Sequence, residues 1–172
     1  MHAANYSTQD SMTLSMFHST VAKNKCKKNQ TGGVFFDATV GPIEAIYGAN
    51  IIALNAGSKR LDVGFSGAFL LPDSLGYNLV GTPQSDWTEV HPTDRGDQGT
   101  KELKLTGAKR QGKLLGYQHQ FAMRIKSGSA AIDWVPSSIL DYTSSDIWDQ
   151  SRLEDGDGDG SALRDVGAFE YQ

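Results

Sequence analysis

The sequence predicts an all-β chain built from stacked, similar units whose strands pair in parallel, and two observations carry that expectation. The first is an internal repeat. Met12 to Asn24 lies over Ile43 to Asn55 without a gap at a spacing of 31, so Ser19, Thr20, Val21, Ala22 and Asn24 face Asn50, Ile51, Ile52, Ala53 and Asn55. The second is a turn-rich composition: 19 glycines among 172 residues, with frequent Ser, Thr, Asn and Asp, which favours short strands broken by tight turns.

In chain order, residues 1–11 read as a tag, linker or disordered arm, and residues 12–82 as about three repeats within one domain spanning 1–172. Each repeat holds short β-branched or aliphatic segments separated by turns such as Gln30-Thr31-Gly32-Gly33 and Asn55-Ala56-Gly57-Ser58. A weaker third copy, Ser74 to Gly81, puts Asn78, Leu79 and Val80 in the places of Asn50, Ile51 and Ile52. One unit alone has nothing on which to bury its apolar face, whereas stacking builds a continuous core. Asparagines at equivalent places would then form a side-chain ladder, each amide donating to the next. An ordinary β-sandwich is the alternative at this point.

Residues 83–127 read as polar and irregular, with Asp94 to Asp97 in a loop and Lys101 to Leu105 (KELKL) as a short alternating strand. Lys109, Arg110 and Lys113 form a small basic patch, read as solvated surface. The net charge of −4 gives no general basic field to hold a phosphate backbone, so nucleic acid is not an expected partner. Cys26 is the single cysteine, which excludes an intrachain disulfide. No apolar stretch reaches 18 residues, so membrane insertion is not expected, and the first 30 residues hold no signal-peptide run.

Toward the C-terminus, Gly128-Ser129-Ala130-Ala131-Ile132-Asp133, then Asp149-Gln150, then Asp165-Val166-Gly167-Ala168-Phe169-Glu170-Tyr171 resemble the closing motifs of bacterial right-handed parallel β-helix surface proteins. Ser74 to Thr82 is similar to the last rung of such proteins. Ala130 stands where they have proline, Trp134 where a small residue is usual, and Ser151 where arginine is usual. The resemblance implies a single-stranded right-handed parallel β-helix of about three rungs with an irregular C-terminal cap over 83–172. It also implies a secreted or cell-surface location. It implies no single activity, because a shared fold hosts many functions.

Asp155-Gly156-Asp157-Gly158-Asp159-Gly160 has carboxylates at alternate positions, like the first half of a Ca²⁺ loop. Asp155, Asp157, Asp159 and Asp165 are the candidate ligands. Val166 stands where a bidentate Glu would complete the loop, leaving Asp165 or Glu154 to substitute. Asp62, Asp73, Asp86 and Trp87 are candidate binding residues; with Glu89, these carboxylates would serve glycoside hydrolysis if paired. Trp87, Trp134, Trp148, Tyr117 and Tyr142 are candidates for sugar stacking or, alternatively, core cover. His2, His18, His91 and His119 show no metal-ligand spacing, and Arg95-Gly96-Asp97 spells an integrin-type tripeptide without supporting context.

The expected role is a non-enzymatic structural or binding module engaging glycan or protein, with self-association through an uncapped N-terminal rung. The alternative is a carbohydrate-active enzyme, a polysaccharide lyase or glycoside hydrolase, with its site on a lateral groove.

Overall fold

The computed structural model describes residues 2–4, 12–26, 31–39, 41–56, 62–67, 73–83, 91–107, 109–111, 120–139 and 143–172. Nine strands fall into three circuits of the chain: β1 (His2–Ala4), β2 (Met12–Phe17) and β3 (Thr20–Ala22); β4 (Val34–Ala38), β5 (Ile43–Gly48) and β6 (Ile51–Ala53); β7 (Val63–Gly67), β8 (Asp73–Gly76) and β9 (Leu79–Val80). Each circuit gives one strand to each of three sheets, β1-β4-β7, β2-β5-β8 and β3-β6-β9, and every neighbouring pair is parallel. The register is that of the sequence repeat: Met12 pairs with Ile43 through to Phe17 with Gly48, and Thr20 with Ile51 through to Ala22 with Ala53. The third copy is aligned as read, Ile51 with Leu79 and Ile52 with Val80. The all-β class with parallel pairing is therefore correct.

Two corners per circuit explain why asparagine recurs. His18, Ala49 and Tyr77 occupy left-handed backbone at φ 42°, 54° and 60°, as do Lys23 and Leu54 at 57° and 62°. A non-glycine residue there is strained by about 1–2 kcal/mol. At every bend but the first, where Ser19 follows His18, the next residue is an asparagine that offsets this through the ladder. Asn50 Nδ2 donates to Asn78 Oδ1 at 3.0 Å, and Asn78 Nδ2 to Asp94 Oδ1 at 2.9 Å. At the second corner Asn24 Nδ2 donates to Asn55 Oδ1 at 3.0 Å, and Asn55 Nδ2 to Asp62 Oδ1 at 2.8 Å. Both ladders thus end on a carboxylate, an acceptor with no hydrogen to pass on.

Inside the circuits, Met16, Val34, Phe36, Ile43, Tyr47, Ile52 and Val80 form one core. A second core lies on the outer face of β3-β6-β9, where Ala49, Ile51, Ala53 and Leu79 meet Leu103, Ile125, Ala131, Val135 and Val166. Burial on both faces accounts for the unbroken apolar run Ile51-Ile52-Ala53.

Three expectations change. His2–Ala4, read as part of an arm or linker, is β1 and pairs in register with Phe35–Asp37. The KELKL strand is instead a helical turn, α1 (Thr100–Leu103), because Leu103 N–H returns to the Gly99 carbonyl and the Glu102 carboxylate accepts from Gly99 N–H. The C-terminal segment, read as a cap on the end of the stack, runs along its side: Gly167 N–H donates to the Ala49 carbonyl at 2.9 Å and Ala168 N–H to Thr20 Oγ1 at 3.0 Å. The last circuit is met by the stretch around Asp94 and Arg95, where Val80 N–H donates to the Arg95 carbonyl and Arg95 N–H to that of Asn78. Lys109 and Arg110 fall in β10 (Lys109–Gln111), antiparallel to β11 (Gln120–Ala122); Lys113 lies outside the described residues.

Gly167 makes the side-on docking possible. It sits at φ 95°, and a Cβ there would come within 2.7 Å of Thr20 Oγ1 and 2.8 Å of the Ile51 side chain. Gly167→Ala should therefore destabilise the protein by about 2–3 kcal/mol through strain and overpacking. Chemical denaturation checks this; an unchanged midpoint would mean that the segment does not dock there.

Candidate functional site

The seam between the C-terminal segment and the first two circuits gathers several buried charged groups, Arg152, Asp146, Asp165 and Glu170. The Arg152 guanidinium, 3% exposed, donates from Nε to the Ser145 carbonyl and from Nη1 to that of Gly167, both at 3.1 Å, and lies 3.7 Å from Glu170. The Asp165 carboxylate accepts from Tyr171 N–H at 2.6 Å and Asp133 N–H at 2.8 Å, and Glu170 accepts from Asp165 N–H. Asp146 accepts from Trp148, Gln150 and Glu170 backbone N–H groups. These carboxylates act as fixed acceptors for a chain segment with few regular backbone partners.

Burial sets the charge state. It raises Glu170 to about 9, with Asp165 adding to the rise and Arg152 opposing it, and raises Asp165 to about 7 despite its two N–H donors. His18, buried, is lowered to about 4 by desolvation and then by Arg152, with the Asp165 backbone opposing. Native Glu170 and Asp165 hold protons that the unfolded chain releases above about pH 4.5, so their contribution is greatest in acid and is lost as pH rises through 7 to 9. His18 works the other way, since its contribution is lost as pH falls from 6.5 toward 4. Above pH 6.5 His18 no longer adds to the slope, and the two carboxylates do. The melting midpoint should fall from pH 6.5 to 9, and Glu170→Gln should flatten the fall; a midpoint that rises over this range would contradict the assignment.

The candidate metal ligands separate. Ligand atoms of Asp155, Asp157 and Asp133 gather within 4.8 Å of one another, while Asp159 is not in this group and accepts from Ser161 N–H, and Asp165 is taken up in the seam. Three carboxylates suit a hard cation in kind but fall short of six to eight oxygens. Their oxygens also receive N–H groups: Asp157 N–H donates to Asp133 Oδ2, and those of Gly158, Asp159 and Gly160 to Asp155. Asp133 was not read as a ligand because it stands 22 residues before Asp155. Bound Ca²⁺ would raise the melting midpoint over that in chelator, and Asp157→Ala would abolish the rise; equal midpoints mean a plain acidic turn.

The candidate binding residues do not converge among the described residues. Asp62 is buried at the foot of a ladder, accepting from Asn55 and from Thr82 N–H at 2.7 Å, and burial raises its carboxyl. Asp73 is exposed at the start of β8, in a different sheet from the β7 strand that follows Asp62. Asp86, Trp87, Glu89, Tyr117, Tyr142 and His119 lie outside the described residues. Trp134 is covered by the Arg95 guanidinium, 3.6 Å from the ring centre, and meets Tyr77 edge-on. Trp148 is likewise covered by Arg124 at 3.6 Å and meets Phe169. One ring face of each is taken by a guanidinium that ties the C-terminal segment to its neighbours. His91 pairs with Thr93 Oγ1.

A cleft of about 660 Å³ opens at the second corner, lined by Lys23, Ala56, Thr82, Asp97, Gln98 and Thr100 among others. Sequence reading did not single it out, since its walls come from five separate stretches of chain, 23, 54–56, 62, 81–82 and 97–100. No described helix is long and apolar enough to cross a membrane. Compared with family models, curated proteins and solved structures, the chain finds no match.

Proposed function

We propose that the three circuits wind as a right-handed parallel β-helix and that the chain serves as a non-enzymatic structural or binding module of a secreted or cell-surface protein. The observation that carries this reading is the use of the buried carboxylates. Asp62, Asp146, Asp165 and Glu170 all accept N–H groups that hold corners or the C-terminal segment in place. Groups spent in this way are poor acids, bases or nucleophiles, because reaction would require undoing the fold around them. The resemblance of the closing motifs supports the winding and the location.

A glycan array read alongside a reducing-end assay tests the role. Binding without release of sugar ends is expected; turnover that disappears in Asp62→Asn or Asp73→Asn would establish the lyase or hydrolase alternative. Self-association is a second reading favoured by one observation: β2 and β3 are edge strands, and the inward-facing Met12, Leu14 and Val21 are only partly buried. Light scattering at rising concentration should show a dimer, and a strictly monomeric mass would exclude it.

A further inference from the structure

A second pocket, of about 420 Å³, shares no residue with the cleft at the second corner; Arg124, Ile125, Trp148, Gln150 and residues 169–172 line it. Its walls are fixed before any ligand arrives. Asp146 Oδ1 accepts from Trp148 N–H at 2.7 Å and Gln150 N–H at 3.0 Å, and Asp146 Oδ2 accepts from Glu170 N–H at 3.2 Å. One buried carboxylate thereby holds both the 148–150 turn and the C-terminal segment. Arg124 is held through its backbone, its N–H donating to Thr106 Oγ1 at 2.9 Å and its carbonyl accepting from Thr106 N–H at 2.8 Å. Its side chain is held by Trp148, whose ring centre lies 3.6 Å from the guanidinium carbon.

That stacked guanidinium is the feature that points to a ligand. Arg124 is exposed and, among the described residues, pairs with no carboxylate and donates to no carbonyl, in contrast to Arg152. Stacking occupies a face of the guanidinium and leaves its in-plane N–H groups to donate, so a fork suited to a carboxylate stands ready with little rotamer freedom left to lose. Around it, Ile125 and Phe169 are buried and apolar. Gln150 and Gln172 are exposed and in contact, Gln172 Nε2 donating to Gln150 Oε1 at 3.3 Å, and each amide both donates and accepts, as a sugar hydroxyl does. Glu170, kept protonated at neutral pH by burial, sets no negative charge beside an acidic ligand.

We propose that this pocket binds an acidic sugar unit of a glycan, a uronic or sialic acid, with its carboxylate on Arg124 and its hydroxyls on the Gln150 and Gln172 amides. The inference rests on the binding-module reading above and gives it a site and a ligand class. The volume stands near the low end of the ~300–1,000 Å³ of small-molecule sites, which suits one or two sugar rings rather than a long stretch of chain. A peptide carboxyl terminus is the competing carboxylate, but such ends are captured by free backbone N–H groups. Here those of Trp148, Gln150, Glu170 and Tyr171 are already spent on Asp146 and Asp165.

The test is an NMR titration of the full chain with glucuronate, N-acetylneuraminate, the methyl ester of glucuronic acid, and trialanine. The expected result is binding of at least one sugar acid, with the ester at least about tenfold weaker than glucuronate if glucuronate is the acid bound. Arg124→Gln should weaken acid binding by a similar factor while the protein keeps its native spectrum. Gln150→Ala with Gln172→Ala should weaken it several-fold and keep the preference for acid over ester. Equal binding of glucuronate and its ester, or acid binding untouched by Arg124→Gln, would overturn the site while leaving a binding module standing. Tighter binding of trialanine would overturn it in favour of a peptide. Binding of none of the four would overturn the site, and a glycan array that is also blank would remove the binding-module reading with it.

Discussion

Replacing Arg152 with alanine should destabilise the protein by about 3–5 kcal/mol, the largest single effect expected outside the apolar cores. The guanidinium is buried, donates to two carbonyls that lie 22 residues apart in sequence (145 and 167), and faces Glu170. Truncation leaves those carbonyls and the carboxyl without their partner in a largely buried site, so each bears a desolvation penalty. A well-filled Arg152→Met would leave the same carbonyls unpaired but restore packing, and should lose less. Urea unfolding read by tryptophan fluorescence checks the ranking, since Trp148 sits beside Phe169 in the same segment. Loss below about 1 kcal/mol would mean that the seam is open to solvent.

Asn50→Ala should cost about 3–4 kcal/mol, whereas Asn24→Ala, at the exposed start of the ladder on the other corner, should cost about 1 kcal/mol or less. The two amides have the same chemistry in different surroundings. Asn50 is fully buried; its Oδ1 accepts from Ser19 N–H at 2.9 Å and its Nδ2 donates to the Met16 carbonyl at 2.9 Å and to Asn78. Its loss strands buried groups on both neighbouring circuits. Asn24 is exposed, and water can replace it. Denaturant midpoints of the two variants measure the difference directly. Equal losses would show that the ladder stabilises through backbone conformation alone.

The stacking was legible because it repeats: parallel pairing puts identical positions over one another, so the 31-residue spacing of Asn24 and Asn55 is the register itself. The ladder ends were not legible. Asp62 and Asp94 follow Asn55 and Asn78 by 7 and 16 residues, spacings that belong to no repeat. The second core was half visible. Ile51-Ile52-Ala53 is apolar at every position, which signals burial on both faces, but nothing local says that Val135 and Val166 supply the outer cover. The closing motifs run along the side of the stack rather than over its end for the same reason, since a motif marks a segment without saying which face it meets.

The most direct test of the stacked-circuit account is a disulfide across the register. Thr13 and Glu44 face each other on adjacent parallel strands and are both exposed, within the separation a disulfide requires. In a Cys26→Ser background, Thr13→Cys with Glu44→Cys should cross-link almost completely on mild oxidation, while Thr13→Cys with Ile46→Cys, two residues out of register, should remain largely reduced. Failure of the first pair to form, or equal cross-linking of both, would contradict the 31-residue parallel register on which the ladders, the corner and the cleft depend.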